Sequence, residues 1–163
     1  MEMKLVSVSC AVLGALVAIL PFGGQAHAEP IKCRAAILKA SASYAQARVK
    51  ALQKCEDAVV KRKLDQATVC TTETKAADSI AKATTKLTSA IDKACGGADK
   101  VCGGNTTGED GGSSIQFPAT CPGFEGKGCT NAVGRTDCTG IATCLLCIDG
   151  AAVDQAIALS YAP

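Results

Sequence analysis

Residues 31–95 read IKCRAAILKASASYAQARVKALQKCEDAVVKRKLDQATVCTTETKAADSIAKATTKLTSAIDKAC, with cysteines at Cys33, Cys55, Cys70 and Cys95. From 31 to 94 there is neither Pro nor Gly, and Ala, Lys, Leu, Gln and Glu recur, the residues that lose least on entering a helix. Cys33 and Cys55 lie 22 positions apart, Cys70 and Cys95 25 apart. At about 100° per residue each pair returns to one helix face. In an antiparallel hairpin, facing residues have a nearly constant sum of numbers, and Cys33 with Cys95 gives 128 while Cys55 with Cys70 gives 125. The spacing therefore predicts bridges Cys33–Cys95 and Cys55–Cys70, with the reversal near Arg62-Lys63-Leu64-Asp65-Gln66. A bridge from Cys33 to Cys55 fails for a straight helix, because the 22 residues between them span roughly 33 Å.

Bridged helices must approach closely, and small residues permit it. The first face runs from Cys33 through Ile37, Ala40, Tyr44, Ala47 and Ala51 to Cys55. The second is expected to run from Cys70 through Ala77, Ala81, Thr84, Thr88 and Ile91 to Cys95. Gly96-Gly97 then stops the helix.

Ahead of this stretch lie Lys4, an apolar run from Leu5 to Leu20, Pro21, and the small-residue site Ala26-His27-Ala28. That is the layout of a cleaved secretory signal peptide covering residues 1–28. The run is shorter than the roughly 20 residues of a membrane helix, and no later stretch is expected to span a membrane. Cys10 sits inside the apolar run, not at a lipoprotein cleavage point. Cleavage removes Cys10 and the single histidine, His27, and leaves ten of the eleven cysteines. An even, high count behind an export signal reads as a disulfide set: Cys33, Cys55, Cys70, Cys95, Cys102, Cys121, Cys129, Cys138, Cys144 and Cys147. Since the first four pair among themselves, parity sends Cys102 into the C-terminal segment; its partner is left open.

Composition divides the mature chain into a helical hairpin (29–100), a glycine-rich linker (101–118) and a cysteine-rich segment (119–163). The stretch from Cys102 to Ser114 is expected to be solvated and too glycine-rich to pack. Gly140 to Cys147 reads as a short helix capped by Thr139 or Asp137, and Asp149-Gly150 as its break. Ala151 to Tyr161 reads as a second helix with Val153, Ile157 and Tyr161 on one face. Residues 115–137 read as loops with at most a short strand. The fold class is mainly α, a disulfide-stapled antiparallel hairpin followed by a small cysteine-rich, loop-rich segment with one or two short helices. Residues 29–100 carry 14 Lys and Arg against 8 Asp and Glu, net +6, and residues 101–163 carry 2 against 6, net −4. The halves either attract one another or present one basic and one acidic face.

A mature chain without histidine excludes Ser-His-Asp triads, Cys-His nucleophiles, haem attachment at C-x-x-C-H and His-containing zinc sites. Cys144-x-x-Cys147 has redox spacing but lacks the strand-helix-strand setting in which such thiols are activated. An oxidising compartment argues against a thiolate metal site at Cys129, Cys138, Cys144 and Cys147. Glu109-Asp110 has no calcium-loop spacing. Lys61-Arg62-Lys63 forms a basic tip whose default reading is a solvated turn, with contact to an anionic surface such as lipid or polysaccharide as the alternative, and the scarcity of aromatics argues against nucleic acid. No cofactor is expected.

Lys32-Cys33-Arg34-Ala35-Ala36-Ile37-Leu38-Lys39-Ala40, with Tyr44 and Lys54-Cys55, resembles the Lys/Ala-rich cysteine helices of uncharacterised cysteine-rich exported proteins of myxobacteria and related bacteria. Cys144-Leu145-Leu146-Cys147, with Ala151 to Gln155 and Tyr161, resembles their C-terminal signature. The resemblance implies export and disulfides and carries no activity. The sequence thus leads to a secreted or periplasmic, non-enzymatic binding or structural module. Its partner is not named by the sequence; an anionic envelope surface and another exported protein are the candidates. The alternative is a thiol-disulfide oxidoreductase using Cys144 and Cys147.

Overall fold

The computed structural model describes residues 29–104, 107–124, 126 and 128–162. The expected signal peptide, with Cys10 and His27, lies outside them. Three helices follow in order: α1 (Pro30–Val60), α2 (Thr74–Cys95) and α3 (Ile141–Ser160). Helices α1 and α2 form the antiparallel hairpin, α3 packs on it mainly through α1, and residues 96–140 wrap the end at which Cys33 and Cys95 meet. The fold is mainly α, and among the described residues extended pairing amounts to isolated bridges such as Thr120 with Ala132.

Pro30 opens α1 at a position where its missing N–H costs nothing. The helix ends without glycine. Arg62 takes a left-handed φ of 54°, its N–H donates to Val59 O, and Lys63 N–H donates to Ala58 O. These two reversed bonds are those of a Schellman cap, in which glycine is the usual residue at the left-handed position. Asp65 then turns the chain by accepting from Ala67 N–H at 2.7 Å. Glu73 caps α2, its carboxylate accepting from Ala76 N–H at 2.8 Å.

Most of the expected α1 face is buried, namely Cys33, Ile37, Ala40, Tyr44 and Cys55, whereas Ala47 and Ala51 are half-buried and Leu52, outside the expected face, is buried. That of α2 keeps Ile91 and Cys95 as expected, but nearer its start it lies one position away, with Ala76, Ala83 and Leu87 buried in place of Ala77, Thr84 and Thr88, and Ala81 exposed. Cys70 precedes α2 by four residues and sits in the connection, so counting from it along a helix gave the wrong register. The main core gathers Tyr44, Leu87 and Ile91 with Ile115, Val133, Ile141 and Leu145, and a smaller core at the tip gathers Leu52, Cys55, Cys70, Val153 and Ile157.

Two further expectations are corrected. The glycine-rich stretch packs: Gly111, Gly112 and Ile115 are buried, Asp110 N–H donates to Cys95 O, and Gly112 N–H to Gly134 O. A Cβ on Gly111 would lie 2.3 Å from Arg135 O, so the glycines serve here to bring two backbones together. The short helices expected on either side of Asp149-Gly150 are one 20-residue helix. Its N-cap is Gly140 at φ 78°, where a Cβ would meet Ala132 O at 2.2 Å, and the expected cap residues Thr139 and Asp137 bond each other instead. Gly150 continues the helix because it is buried beside Tyr44 and Arg48 of α1. By length and mean hydropathy, 1.5, α3 is also apolar enough to cross a membrane, contrary to the expectation that no later stretch is. Asp149, Asp154 and two disulfides join it to the rest of the fold.

Candidate functional site

All ten cysteines among the described residues are paired. Cys33–Cys95 and Cys55–Cys70 staple the hairpin with Cα separations of 4.8 and 5.6 Å. Cys102–Cys138, Cys121–Cys144 and Cys129–Cys147 close the C-terminal segment at 4.9, 5.3 and 5.7 Å. The six C-terminal cysteines pair first with fourth, second with fifth and third with sixth, so their loops interlock, and no bridge joins the two halves. Cys144 and Cys147 share α3 but clamp different points of the preceding loop. A dithiol exchange site needs those two sulfurs to bond each other, and here each serves another crosslink. Glu109, expected to be solvated, accepts from Gly103 N–H at 2.9 Å and Cys138 N–H at 3.2 Å, and so supports the Cys102–Cys138 bridge. Among the described residues no group of three His, Cys, Asp or Glu is placed to hold a metal. Five crosslinks in so small a chain fit a protein of an oxidising, extracytoplasmic environment.

The halves meet through their opposite charges. Arg48 of α1 donates two hydrogen bonds to Asp154 of α3, and Ser41 donates to Asp149 at 2.6 Å. Burial works against the Arg48 charge, but the hydrogen bonds and charge of Asp154, with Tyr44 nearby, outweigh it and raise its pKa. At the tip, Tyr161 donates to Asp57 at 2.9 Å, and that bond together with Lys61 lowers the Asp57 pKa.

These contacts engage both acids of α3 and leave most of the hairpin's lysines without an ion pair among the described residues. Between α1 and α2 runs an open groove of about 650 Å³, floored by Ala36, Ala40, Ala47, Ala83 and Ala90 over Tyr44 and Leu87. Lys39 stands on the α1 wall, Lys82 and Lys86 on the α2 wall. At Ser79 it meets a second hollow of about 290 Å³ toward the tip, lined in part by Lys54, Lys63 and Lys75. The sole carboxylate lining either hollow is Glu73, which is engaged in capping α2. Among the described residues, only Lys32, Arg48 and Lys61 form ion pairs. The groove opens on a different flank of α1 from α3: Ala36, Lys39, Ser43 and Ala47 lie roughly 100–180° around the helix from Ser41 and Arg48, which meet α3, while Tyr44 beneath the floor lies about 40–60° from them and accepts from Arg48.

The sequence reading placed the basic surface at Lys61-Arg62-Lys63. Lys63 does line the second hollow, while Lys61 pairs with Asp57. The groove lysines were missed, although Lys75, Lys82, Lys86 and Lys93 recur at spacings of seven, four and seven along α2. Comparison with protein-family models, with characterised proteins and with solved structures finds no match to this chain.

Proposed function

We propose that the chain is an exported, non-enzymatic module that binds an anionic partner of the envelope or extracellular space through the hairpin groove, without spanning a membrane. The observation that carries this reading is the set of six lysines, Lys39, Lys82 and Lys86 in the groove and Lys54, Lys63 and Lys75 in the hollow adjoining it at Ser79, whose sole lining carboxylate, Glu73, is engaged in capping α2. Like charges held together in a concave surface concentrate a positive potential and attract an opposite one. The engagement of Cys144 and Cys147 in separate crosslinks, and a mature chain without histidine, support binding over thiol exchange or hydrolysis. The resemblance to cysteine-rich exported proteins of myxobacteria supports the same compartment.

The test is co-sedimentation of the oxidised protein with the producing organism's envelope. Salt-sensitive association, lost when Lys39, Lys82 and Lys86 are all replaced by Glu, is the expected result. Equal association of the charge-reversed protein would overturn the reading, as would a titratable thiol pair at Cys144 and Cys147.

A further inference from the structure

We infer that the groove between α1 and α2 seats an acidic amphipathic helix of another exported protein, laid on the hairpin as a fourth helix on a different flank from α3. The inference rests on the anionic-partner reading above and names the partner's chemistry. The shape of the floor is its first support. Its apolar groups are alanines recessed between two walls, so they are reached by a convex object entering the groove. A helix is such a cylinder, and small residues below it let two backbones approach to about 8 Å.

A bilayer surface would need large apolar side chains protruding from the face, and here the rim carries Lys39, Lys82 and Lys86 instead. An acyl chain would need enclosure. The groove is open along its length and would leave one side of the chain in water, whereas an amphipathic helix turns a polar side outward. From Ala36 to Ala47 the floor extends about 16 Å, the length of three helical turns. Lys82 and Lys86, four apart on one face, match carboxylates at the same spacing on the incoming helix.

A second copy of this chain does not fit. Helix α1 carries six basic residues against Glu56 and Asp57, α2 four against Asp78 and Asp92, and the acids of α3 are bonded to Ser41 and Arg48. Self-association would set lysine against lysine.

The probe is a fluorescent 18-residue helical peptide with an Ala/Leu face flanked by Glu at four-residue spacing. Its mate carries Lys in place of Glu, and phosphatidylglycerol vesicles stand for the lipid alternative. The oxidised protein is expected to bind the Glu peptide saturably, without affinity for the Lys peptide. The paired change Lys82→Glu with Lys86→Glu should weaken the Glu peptide at least tenfold and create binding of the Lys peptide. Ser43→Trp, at an exposed position lining the groove, should weaken it likewise by filling the space. Intact crosslinks in each variant are verified by mass under non-reducing conditions. Absence of peptide binding, or binding indifferent to Ser43→Trp, overturns the helix-seat inference. If the vesicles then bind through the same lysines, the anionic-partner reading stands without the helix; if peptide, vesicles and envelope all fail to bind, both fall.

Discussion

Arg48 holds Asp154 with two near-parallel hydrogen bonds, Nε to Oδ1 at 2.8 Å and Nη2 to Oδ2 at 2.7 Å. The two residues lie 106 positions apart, and their contact is an ion pair between the hairpin and α3. The Arg48 side chain is only 14% exposed and that of Asp154 38% exposed, which removes much of the solvent screening that makes surface pairs weak. A double-mutant cycle with Arg48→Met and Asp154→Asn should give a coupling of about 1–2 kcal/mol, above the roughly 0.2–1 kcal/mol of exposed pairs. Chemical denaturation of the four proteins measures it, and a coupling near zero would mean that α3 is held by apolar contacts and crosslinks alone.

Asp110 is 4% exposed, and its Oδ2 has no hydrogen-bond partner. Burial raises its pKa, against a weaker opposing effect of the Ser114 hydroxyl. Between the ordinary carboxylate value and the raised one, the folded chain keeps a proton that the unfolded chain has lost. Stability from this group is therefore complete at low pH and is lost as pH rises through the folded value. Asp110→Asn should stabilise the protein at pH 7 by on the order of 1 kcal/mol, with the gain closing below about pH 4. Thermal melts at the two pH values decide it, and a loss at pH 7 would refute the burial cost.

Arg62 closes α1 with φ 54°, a conformation that costs a residue with a Cβ about 1 kcal/mol and glycine almost nothing. Its side chain makes no ion pair among the described residues. Arg62→Gly is therefore expected to raise stability by about 0.5–1 kcal/mol, as read from the denaturation midpoint. A decrease would show that the arginine stem contributes packing at the bend.

Every residue from Cys33 to Cys95 and from Cys102 to Cys147 lies within at least one disulfide loop, while residues 96–101 lie in none. Lys100 is the one basic residue of that gap, and it is exposed. On a non-reducing denaturing gel, trypsin cleavage after Lys100 should part the hairpin from the C-terminal segment. Cuts at Lys61 or Lys63 should leave the halves joined until reductant is added. Persistence of one band after a verified cut at Lys100 would mean that a crosslink bridges the halves.

The hairpin was legible because covalent pairing leaves a numerical trace: two pairs with nearly equal sums specify an antiparallel arrangement whatever the side chains between them do. That trace misled only where Cys70 was assumed to be helical, since a cysteine reports where a chain is tethered and not which element carries it. Gly111 and Gly112 were illegible for a different reason. A glycine pair looks the same in a solvated linker and at a close backbone crossing, and only the neighbour, here Gly134 to Thr136, distinguishes them. Gly150 looked like a break because glycine costs a helix about 1 kcal/mol, and its burial beside Tyr44 was invisible in one dimension. The groove needs Lys39 and Lys82 to be neighbours across two helices, a relation that depends on the register set by both bridges.

Of the five bridges, only Cys55–Cys70 joins cysteines that follow each other along the chain. Cys33 must pass over two cysteines to reach Cys95, and each of the last three bridges passes over others as well. A polypeptide entering an oxidising compartment N-terminus first presents Cys33 with Cys55 long before Cys95 emerges. Bonds made in order of arrival are thus mostly wrong and must be reopened by thiolate attack through mixed disulfides. Reaching the native set therefore depends on the reopening and exchange of early bridges as well as on their formation.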